Sequence, residues 1–466
     1  MRNNILAEKK QNTGITLISL VVTIIVLLIL AGVSISMLTG ENGILKRASE
    51  ANVKTKNAQT DEILKIAVME ALSHGMGKIT FENLQNALND NFGARKYEIS
   101  EDDGYIIVKI ENKSFDIKNN GKIQNSLPKS AEGLSADEPV RNPSNYGENA
   151  QATADGTGKY FAKPDGATYI TGTVDTGIVV NIKGSEFVWI PVDDVVLDIS
   201  READLPKSSD DGTDNGKTYT PMAVKVGSDY KGILYEFLGS NGYLKYGSNE
   251  IYQGDSSDYR EPDVVSIYDG TEVDTVIGKI TKQRLTLEYN EMIESVLKYK
   301  GFYVARYEAG LDNTTNEIVF KNASVEANNV TTTDSSNCET SSWYGLYKKI
   351  KTFTTDSDKV ASSMIWGSQY DAMMNWMAKK GQTVGTEDNT KRNSEAVTGK
   401  NNNDVINNIY DLYGCHEEWT LEAYLSHNRV YRGGNYNYNL SPANCSYDYP
   451  KYMYSDVSSR ATIYIK

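Results

Sequence analysis

The longest apolar stretch of the chain lies near its N-terminus. Residues 15–38 read ITLISLVVTIIVLLILAGVSISML, and no charged residue occurs from Gln11 to Gly40. A helix over this stretch is about 36 Å long at 1.5 Å per residue, and the hydrocarbon core of a bilayer is about 30 Å thick. The pattern therefore predicts a transmembrane helix.

Charges on either side of the stretch predict its orientation. Arg2, Lys9 and Lys10 precede it, whereas the first charge after it is Glu41. The positive-inside tendency then keeps the N-terminus cytoplasmic. The predicted localisation is a single-pass protein of the cell membrane with an extracellular C-terminus.

The apolar spacing after this stretch changes twice. Recurrences of three and four residues up to about Leu72 predict that the helix continues as a stem, so that 15–77 form one transmembrane and stem helix. A second helical pattern covers 82–92, and alternating residues over 96–117 predict short antiparallel strands. Residues 78–125 are thus expected to form a small αβ head.

The remainder divides into a linker and a large domain. Residues 126–158 are rich in Ser, Pro, Gly, Asn and Glu, and such a composition predicts a linker that buries little. In 159–466, β-branched and aromatic clusters alternate with turn-rich loops, and only 285–297 and 368–378 have helical patterns. The expected fold class is α+β with a loop-rich distal domain.

Composition excludes several classes of protein. The 466 residues carry a formal charge of −14, whereas a protein that binds nucleic acid needs a basic face. Three cysteines are too few for a disulfide-stapled scaffold, and no GxSxG motif is present. The acidic run 209–216 has oxygen ligands suited to Ca²⁺ but lacks the spaced glutamate of an EF-hand, so no cofactor is expected and calcium alone stays open.

The N-terminal sequence has a further feature. The short basic leader 1–14 ends in Gly14, and Ile15 opens the apolar run, which resembles a type IV prepilin signal. The resemblance implies cleavage after Gly14, methylation of Ile15, and a prepilin peptidase and other pilin subunits as partners. The glutamate that pilins usually carry at the fifth mature position is Ser19 here, which favours a minor or tip subunit; a plain N-terminal anchor is the alternative.

A second resemblance extends over the distal domain. Five blocks occur in order: FVWIPV at 187–192, GFYVARYE at 301–308, MIWGSQYDA at 364–372, NIYDLYG at 408–414 with EWT at 418–420, and RVYRGGN at 429–435. They resemble the landmarks of the formylglycine-generating, sulfatase-modifying-factor family, which implies a C-type-lectin-like fold. The residues expected to be structural in that fold are Trp189, Trp419, Arg432, Gly433 and Gly434.

The catalytic residues of that family have no counterpart here. Its oxidases use two cysteines a few residues apart after the RGG block, but 436–466 contain only Cys445. Its iron-dependent relatives need a histidine cluster, and the chain has only His74, His416 and His427. The sequence Cys415-His416-Glu417 is metal-like, but three adjacent side chains on an extended chain cannot all face one ion. We therefore predict no enzyme, no catalytic residue and no metal site.

The C-terminal segment is rich in Tyr and Asn, the residue types that antibodies use for recognition. It is expected to bind an extracellular protein or glycan. The predicted ligand-binding residues are Asn435, Tyr436, Asn437, Tyr438, Asn439, Asn444, Tyr447, Asp448, Tyr449, Tyr452 and Tyr454. The Tyr- and Asn-rich composition of this segment also resembles that of the variable proteins of diversity-generating retroelements.

Together these patterns predict a cell-surface, pilin-like, ligand-binding protein, a minor or tip pilin or adhesin. Two alternatives stay open: a surface-anchored enzyme of the formylglycine-generating type, and a purely structural minor pilin.

Overall fold

The structure is a computed structural model. It describes residues 20–28, 44–92, 97–110, 113–193, 195–199, 213–214, 217–218, 222–226, 229–232, 235–238, 243–246, 282–312, 314–315, 317–322, 325–326, 342–424, 428–450 and 454–466. The chain divides into two compact units, Met1–Ser126 and Leu127–Lys466. Each unit combines helices with small sheets.

The first unit packs two helices on an antiparallel sheet. The helices are α1 (Ile44–His74) and α2 (Phe81–Phe92), and the strands, in sheet order, are β1 (Tyr97–Asp102), β2 (Tyr105–Ile110), β3 (Lys113–Ile117) and β4 (Ile123–Asn125). Leu64, Ala67, Val68 and Ala71 recur at helical spacing and form the buried stripe of α1. The second helix begins at a reciprocal pair of side-chain to backbone hydrogen bonds between Thr80 and Asn83.

The structure contradicts the predicted transmembrane helix. Among the described residues, no helix is both long enough and apolar enough to cross a bilayer. The long helix α1 carries many charged residues along its sequence. The predictions of a membrane-spanning segment and of a single-pass membrane protein at the cell surface are therefore contradicted by the described residues. The rest of the predicted span and the processing site at Gly14 and Ile15 lie outside the described residues.

The described residues of the second unit form three helices and many short strands. The helices are α3 (Lys282–Tyr299), α4 (Trp343–Lys351) and α5 (Gly367–Lys379). The strands are β5 (Ala150–Ala154), β6 (Tyr160–Pro164), β7 (Thr168–Thr171), β8 (Ile178–Ile182), β9 (Ser185–Pro191), β10 (Val196–Ile199), β11 (Thr213–Asp214), β12 (Lys217–Thr218), β13 (Ala223–Val226), β14 (Asp229–Gly232), β15 (Tyr235–Leu238), β16 (Tyr243–Tyr246), β17 (Gly301–Ala305), β18 (Gly310–Leu311), β19 (Ile318–Val319), β20 (Val325–Glu326), β21 (Val360–Met364), β22 (Val405–Ile406), β23 (Ile409–Tyr410), β24 (Glu417–Tyr424), β25 (Asn428–Arg432), β26 (Cys445–Asp448), β27 (Val457–Ser459) and β28 (Ala461–Ile465).

A six-stranded antiparallel sheet carries the core of this unit. Its strand order is β21-β28-β17-β9-β8-β7. The central strand β17 is buried at every position, as expected for a strand covered on both faces. Trp189 on β9 stands opposite Tyr303 on β17, and the two rings pack with centroids 5.0 Å apart. Four of the sequence blocks thus contribute buried elements around one core.

A second, four-stranded sheet holds the C-terminal segment. Its order is β26-β25-β24-β27, so that β26 is an edge strand. Trp419 on β24 is fully buried and stands opposite Tyr431 on β25, with ring centroids 5.1 Å apart. Gly434 follows β25 where a Cβ atom would lie 2.1 Å from the Tyr413 carbonyl oxygen, so only glycine fits there.

The segment 126–158 does not have the exposed character that its composition predicted. From Leu127 onward it belongs to the second unit, and Val140, Tyr146 and Ala152 are buried in the core of that unit. Tyr146 and Tyr299 exchange hydroxyl-to-carbonyl hydrogen bonds at 3.3 and 3.0 Å. Small alanines and a few aromatic anchors are sufficient to pack this segment.

Candidate functional site

The Tyr/Asn-rich segment turns back on itself to form the edge of the four-stranded sheet. Residues 433–444 connect β25 to β26, and the two strands pair antiparallel from Arg429 opposite Asp448 to Arg432 opposite Cys445. Side chains of β26 alternate between exposed and half-buried positions. The strand geometry therefore turns Cys445 and Tyr447 outward, and Tyr449 beyond the strand end is exposed as well.

Three tyrosines of this segment are exposed. Tyr438, Tyr447 and Tyr449 have 63%, 47% and 41% of their surface exposed, and Asn437 is exposed beside them. We call these four residues the tyrosine face. Of the other predicted ligand-binding residues, Tyr436, Asn439, Asn444, Asp448 and Tyr454 are half-buried. Tyr452 lies outside the described residues.

Asn435 has an internal role instead of an exposed one. It is 1% exposed, and its Oδ1 accepts hydrogen bonds from the backbone N–H groups of Asn437 and Tyr438, at 2.9 and 2.8 Å. Its Nδ2 donates to Glu417 Oε2 at 3.0 Å. Such a side-chain turn fixes the backbone at Asn437 and Tyr438, two residues that are exposed in this segment.

Glu417 lies beneath the turn and holds two asparagines. Besides Asn435, it accepts a hydrogen bond from Asn444 Nδ2 at 3.5 Å. Burial raises the pKa of Glu417 to about 7, and the hydrogen bond from Asn435 opposes this shift. The charge of Glu417, and with it the strength of the Asn435 contact, thus depends on pH near neutrality.

Buried ion pairs stiffen the sheet below. Arg432 makes a bidentate pair with the two carboxylate oxygens of Glu422, at 2.9 and 2.7 Å. Arg460 donates from Nε and Nη2 to one oxygen of Glu418, Oε1, at 2.9 and 2.5 Å. Arg460 also donates to the carbonyl oxygen of Ala305 at 2.8 Å. The predicted structural residue Arg432 therefore contributes through a carboxylate pair on the neighbouring strand.

A third buried cluster brings together residues far apart in sequence. His416 Nδ1 lies 2.7 Å from Glu308 Oε2 and 3.2 Å from Cys415 Sγ, and its backbone N–H donates to Glu308 Oε1 at 3.1 Å. All three side chains are at most 1% exposed. Burial raises the pKa of Glu308 to about 8, with His416 opposing the shift. Glu417 does not join this cluster, because its carboxylate is bound by the two asparagines.

The same cluster does not have the geometry of a cysteine nucleophile. In a catalytic triad the thiol and the orienting carboxylate contact different nitrogens of the imidazole. Here Cys415 Sγ and Glu308 Oε2 both approach Nδ1. The thiol is also fully buried, so that no substrate reaches it in this structure.

A cavity of about 220 Å³ lies elsewhere in the second unit. Trp376 and Val192 form apolar parts of its wall, and Lys159 and Lys380, which also line it, both pair with Asp175. These lysines hold the pKa of Asp175 below its usual range. None of the residues of the tyrosine face lines this cavity.

Comparison with protein-family models, with curated proteins and with solved structures finds no match to this chain. The resemblances to type IV pilins, to the sulfatase-modifying-factor family and to retroelement variable proteins therefore stay predictions.

Sequence reasoning missed Glu308 and misassigned the role of Asn435. Glu308 ends a recognised block, but nothing in the sequence indicates that it meets a residue 108 positions later. For Asn435 a signal existed, since an asparagine directly after two glycines is a common turn former.

Proposed function

We propose that this protein is a non-catalytic binding protein that recognises another protein through the tyrosine face. The observation that carries this proposal is the combination of three exposed tyrosines with a backbone fixed from below by Asn435 and Glu417. Tyrosine offers a large, rigid contact area with little loss of side-chain entropy, and a fixed backbone reduces the entropy lost on binding.

The shape of the surface favours a protein over a small molecule. Small ligands bind in concave sites, and the described cavity is lined by other residues. Tyr447 is exposed on an edge strand of the four-stranded sheet, where a large partner can reach it. Exposed aromatic side chains in such positions are typical anchors of protein interfaces.

The test compares two variants of the full chain. The first replaces Tyr438, Tyr447 and Tyr449 by alanine, and the matched control replaces Tyr160, which is 44% exposed and lies on β6. Peptides are selected against the wild-type protein from a random library displayed on phage, and a printed oligosaccharide array is probed in parallel. Intact folding of both variants is checked by tryptophan fluorescence.

We expect the selected peptides to bind the triple variant at least about 30-fold more weakly than they bind the wild type. This factor corresponds to about 2 kcal/mol, the loss expected for a single hot-spot residue. The Tyr160→Ala protein should bind them as the wild type does. Peptides that bind the triple variant and the wild type equally would refute the proposal. Binding only to oligosaccharides, lost in the triple variant, would keep the tyrosine face but replace the protein ligand by a glycan.

A further inference from the structure

Two separate parts of the chain bring three different metal-binding atoms together. Glu308 follows strand β17, whereas Cys415 and His416 directly precede β24. The carboxylate oxygen, the thiol sulfur and the imidazole nitrogen all lie within 4.8 Å of one another. Carboxylate, thiolate and imidazole are the three side-chain ligand types that proteins use for zinc.

The backbone is shaped to make this convergence possible. Neighbouring side chains on an extended chain point to opposite sides, but Cys415 has φ of 62°, in the left-handed region. A non-glycine residue in that region is strained, and such strain often occurs at functional sites. Gly414 before it permits the close approach, because a Cβ atom there would lie 2.3 Å from the Asn393 carbonyl oxygen.

The carboxylate is positioned as firmly as the other two groups. The backbone N–H of Glu308 donates to Thr398 Oγ1 at 3.1 Å, and Glu308 Oε1 accepts the N–H of His416. One oxygen of Glu308 is thus fixed by the backbone, and the other faces the imidazole nitrogen and the thiol side of the cluster. Hydrogen bonds of this kind orient the ligands of metal sites.

We propose that Glu308 Oε2, Cys415 Sγ and His416 Nδ1 bind one zinc ion. Zinc bonds of about 2.0–2.3 Å in a tetrahedron place ligand atoms about 3.3–3.7 Å apart. The contacts of 2.7 and 3.2 Å to Nδ1 need to widen by less than about 1 Å to admit the ion.

A fourth ligand is available nearby. Glu418 is buried, and among the described residues its Oε2 has no hydrogen-bond partner. Glu418 lies two residues after His416 at the start of β24, where side chains two residues apart point to the same side of the strand. We assign its Oε2, or a water molecule, to the fourth position.

Zinc binding changes the protonation of the site. The ion bonds to the thiolate of Cys415, so the thiol proton leaves to solvent, and the proton shared by Glu308 and His416 Nδ1 leaves as well. The remaining imidazole proton is then on Nε2. No oxidant or reductant is needed.

The site would also support the tyrosine segment above it. The ring of Tyr436 packs edge-on against the His416 ring, with centroids 5.7 Å apart. An ion that fixes His416 therefore fixes the start of the segment that carries the tyrosine face.

The experiment uses cobalt as a spectroscopic substitute for zinc. The full chain is refolded from urea with one equivalent of Co²⁺, because the buried site admits an ion most readily during folding. Bonding between a cysteine thiolate and cobalt gives a charge-transfer band in the near ultraviolet. The test variant is Cys415→Ser, and the matched control replaces both Cys338 and Cys445 by serine, so that Cys415 is the only thiol left.

We expect the band in the wild type and in the control, no band in Cys415→Ser, and displacement of cobalt by one equivalent of zinc. If Cys415→Ser does not fold, Glu308→Gln is used, because it preserves shape and should weaken zinc binding at least about 10-fold. A folded wild type without the band, a band that the control loses, or a Glu308→Gln protein with unchanged zinc affinity would each overturn the proposal.

Discussion

Asn435→Ala should destabilise the second unit, and by an amount that depends on pH. The substitution removes two hydrogen bonds to backbone N–H groups and one to Glu417. At about 1 kcal/mol for each neutral bond and about 2 kcal/mol for the bond to a charged carboxylate, the loss is at most about 4 kcal/mol. Water can replace partners at the half-exposed turn, so we expect a decrease of about 2–3 kcal/mol in the free energy of unfolding.

The pH dependence follows from the raised pKa of Glu417. Burial raises this pKa to about 7, well above its value in the unfolded chain, so Glu417 is neutral in the folded protein at about pH 5 and charged at about pH 8. The hydrogen bond from Asn435 is stronger to the charged form. The loss caused by Asn435→Ala should therefore be about 1 kcal/mol larger at about pH 8 than at about pH 5.

Urea unfolding followed by tryptophan fluorescence measures this directly. All five tryptophans lie in the second unit, so the signal does not report unfolding of the first unit. Asn437→Ala is the matched control, because Asn437 is exposed and its replacement should change stability by less than about 0.5 kcal/mol. A loss for Asn435→Ala that is equal at both pH values, or no larger than that of the control, would refute the reasoning.

Two further predictions concern the buried carboxylates. Glu418→Gln should lower the free energy of unfolding in urea by about 3–5 kcal/mol, because it leaves the buried Arg460 without its charge partner. The control Glu395→Gln affects an exposed pair with Lys400 and should lower it by less than about 0.5 kcal/mol. Equal effects of the two substitutions would contradict this. Asp404 has its pKa raised to about 7 by burial, from 3.8, so the folded state binds more protons between these values and Asp404 lowers stability as pH rises. Asp404→Asn should remove at most about 4 kcal/mol of this pH dependence, measured as the change in unfolding free energy from about pH 4 to about pH 8, and an unchanged slope would count against the shift.

The helices were predictable where apolar residues recur on one face. The patterns at 82–92, 285–297 and 368–378 lie within helices of the structure, because one side of each must face the core. The helix α4 was missed, since its sequence WYGLYKKIK is buried on most sides and has the aromatic content of a strand. Its cap was a usable signal, because Ser342 accepts a hydrogen bond from the Gly345 N–H.

The site was only partly predictable, because its contacts depend on the fold. Composition indicated the Tyr/Asn segment, but exposure within it follows from strand alternation and from the turn at Asn435. The sequence also indicated that Cys415, His416 and Glu417 could not share one ion, and Glu417 does lie apart. The left-handed backbone at Cys415 and the arrival of Glu308 from a distant strand are tertiary features, which local patterns do not contain.

In the C-terminal segment, the residues that hold the backbone differ from the residues that are exposed, and this difference affects how the protein can evolve. Asn435 and Glu417 are buried and hold the turn from inside, whereas Tyr438, Tyr447 and Tyr449 are exposed to 63%, 47% and 41%. Under the proposed function, substitutions at the three tyrosines should alter which partner is bound while they change the free energy of unfolding little. If the proposal holds, the positions that set binding specificity are also positions that tolerate mutation, so new partners could be selected without compensating mutations.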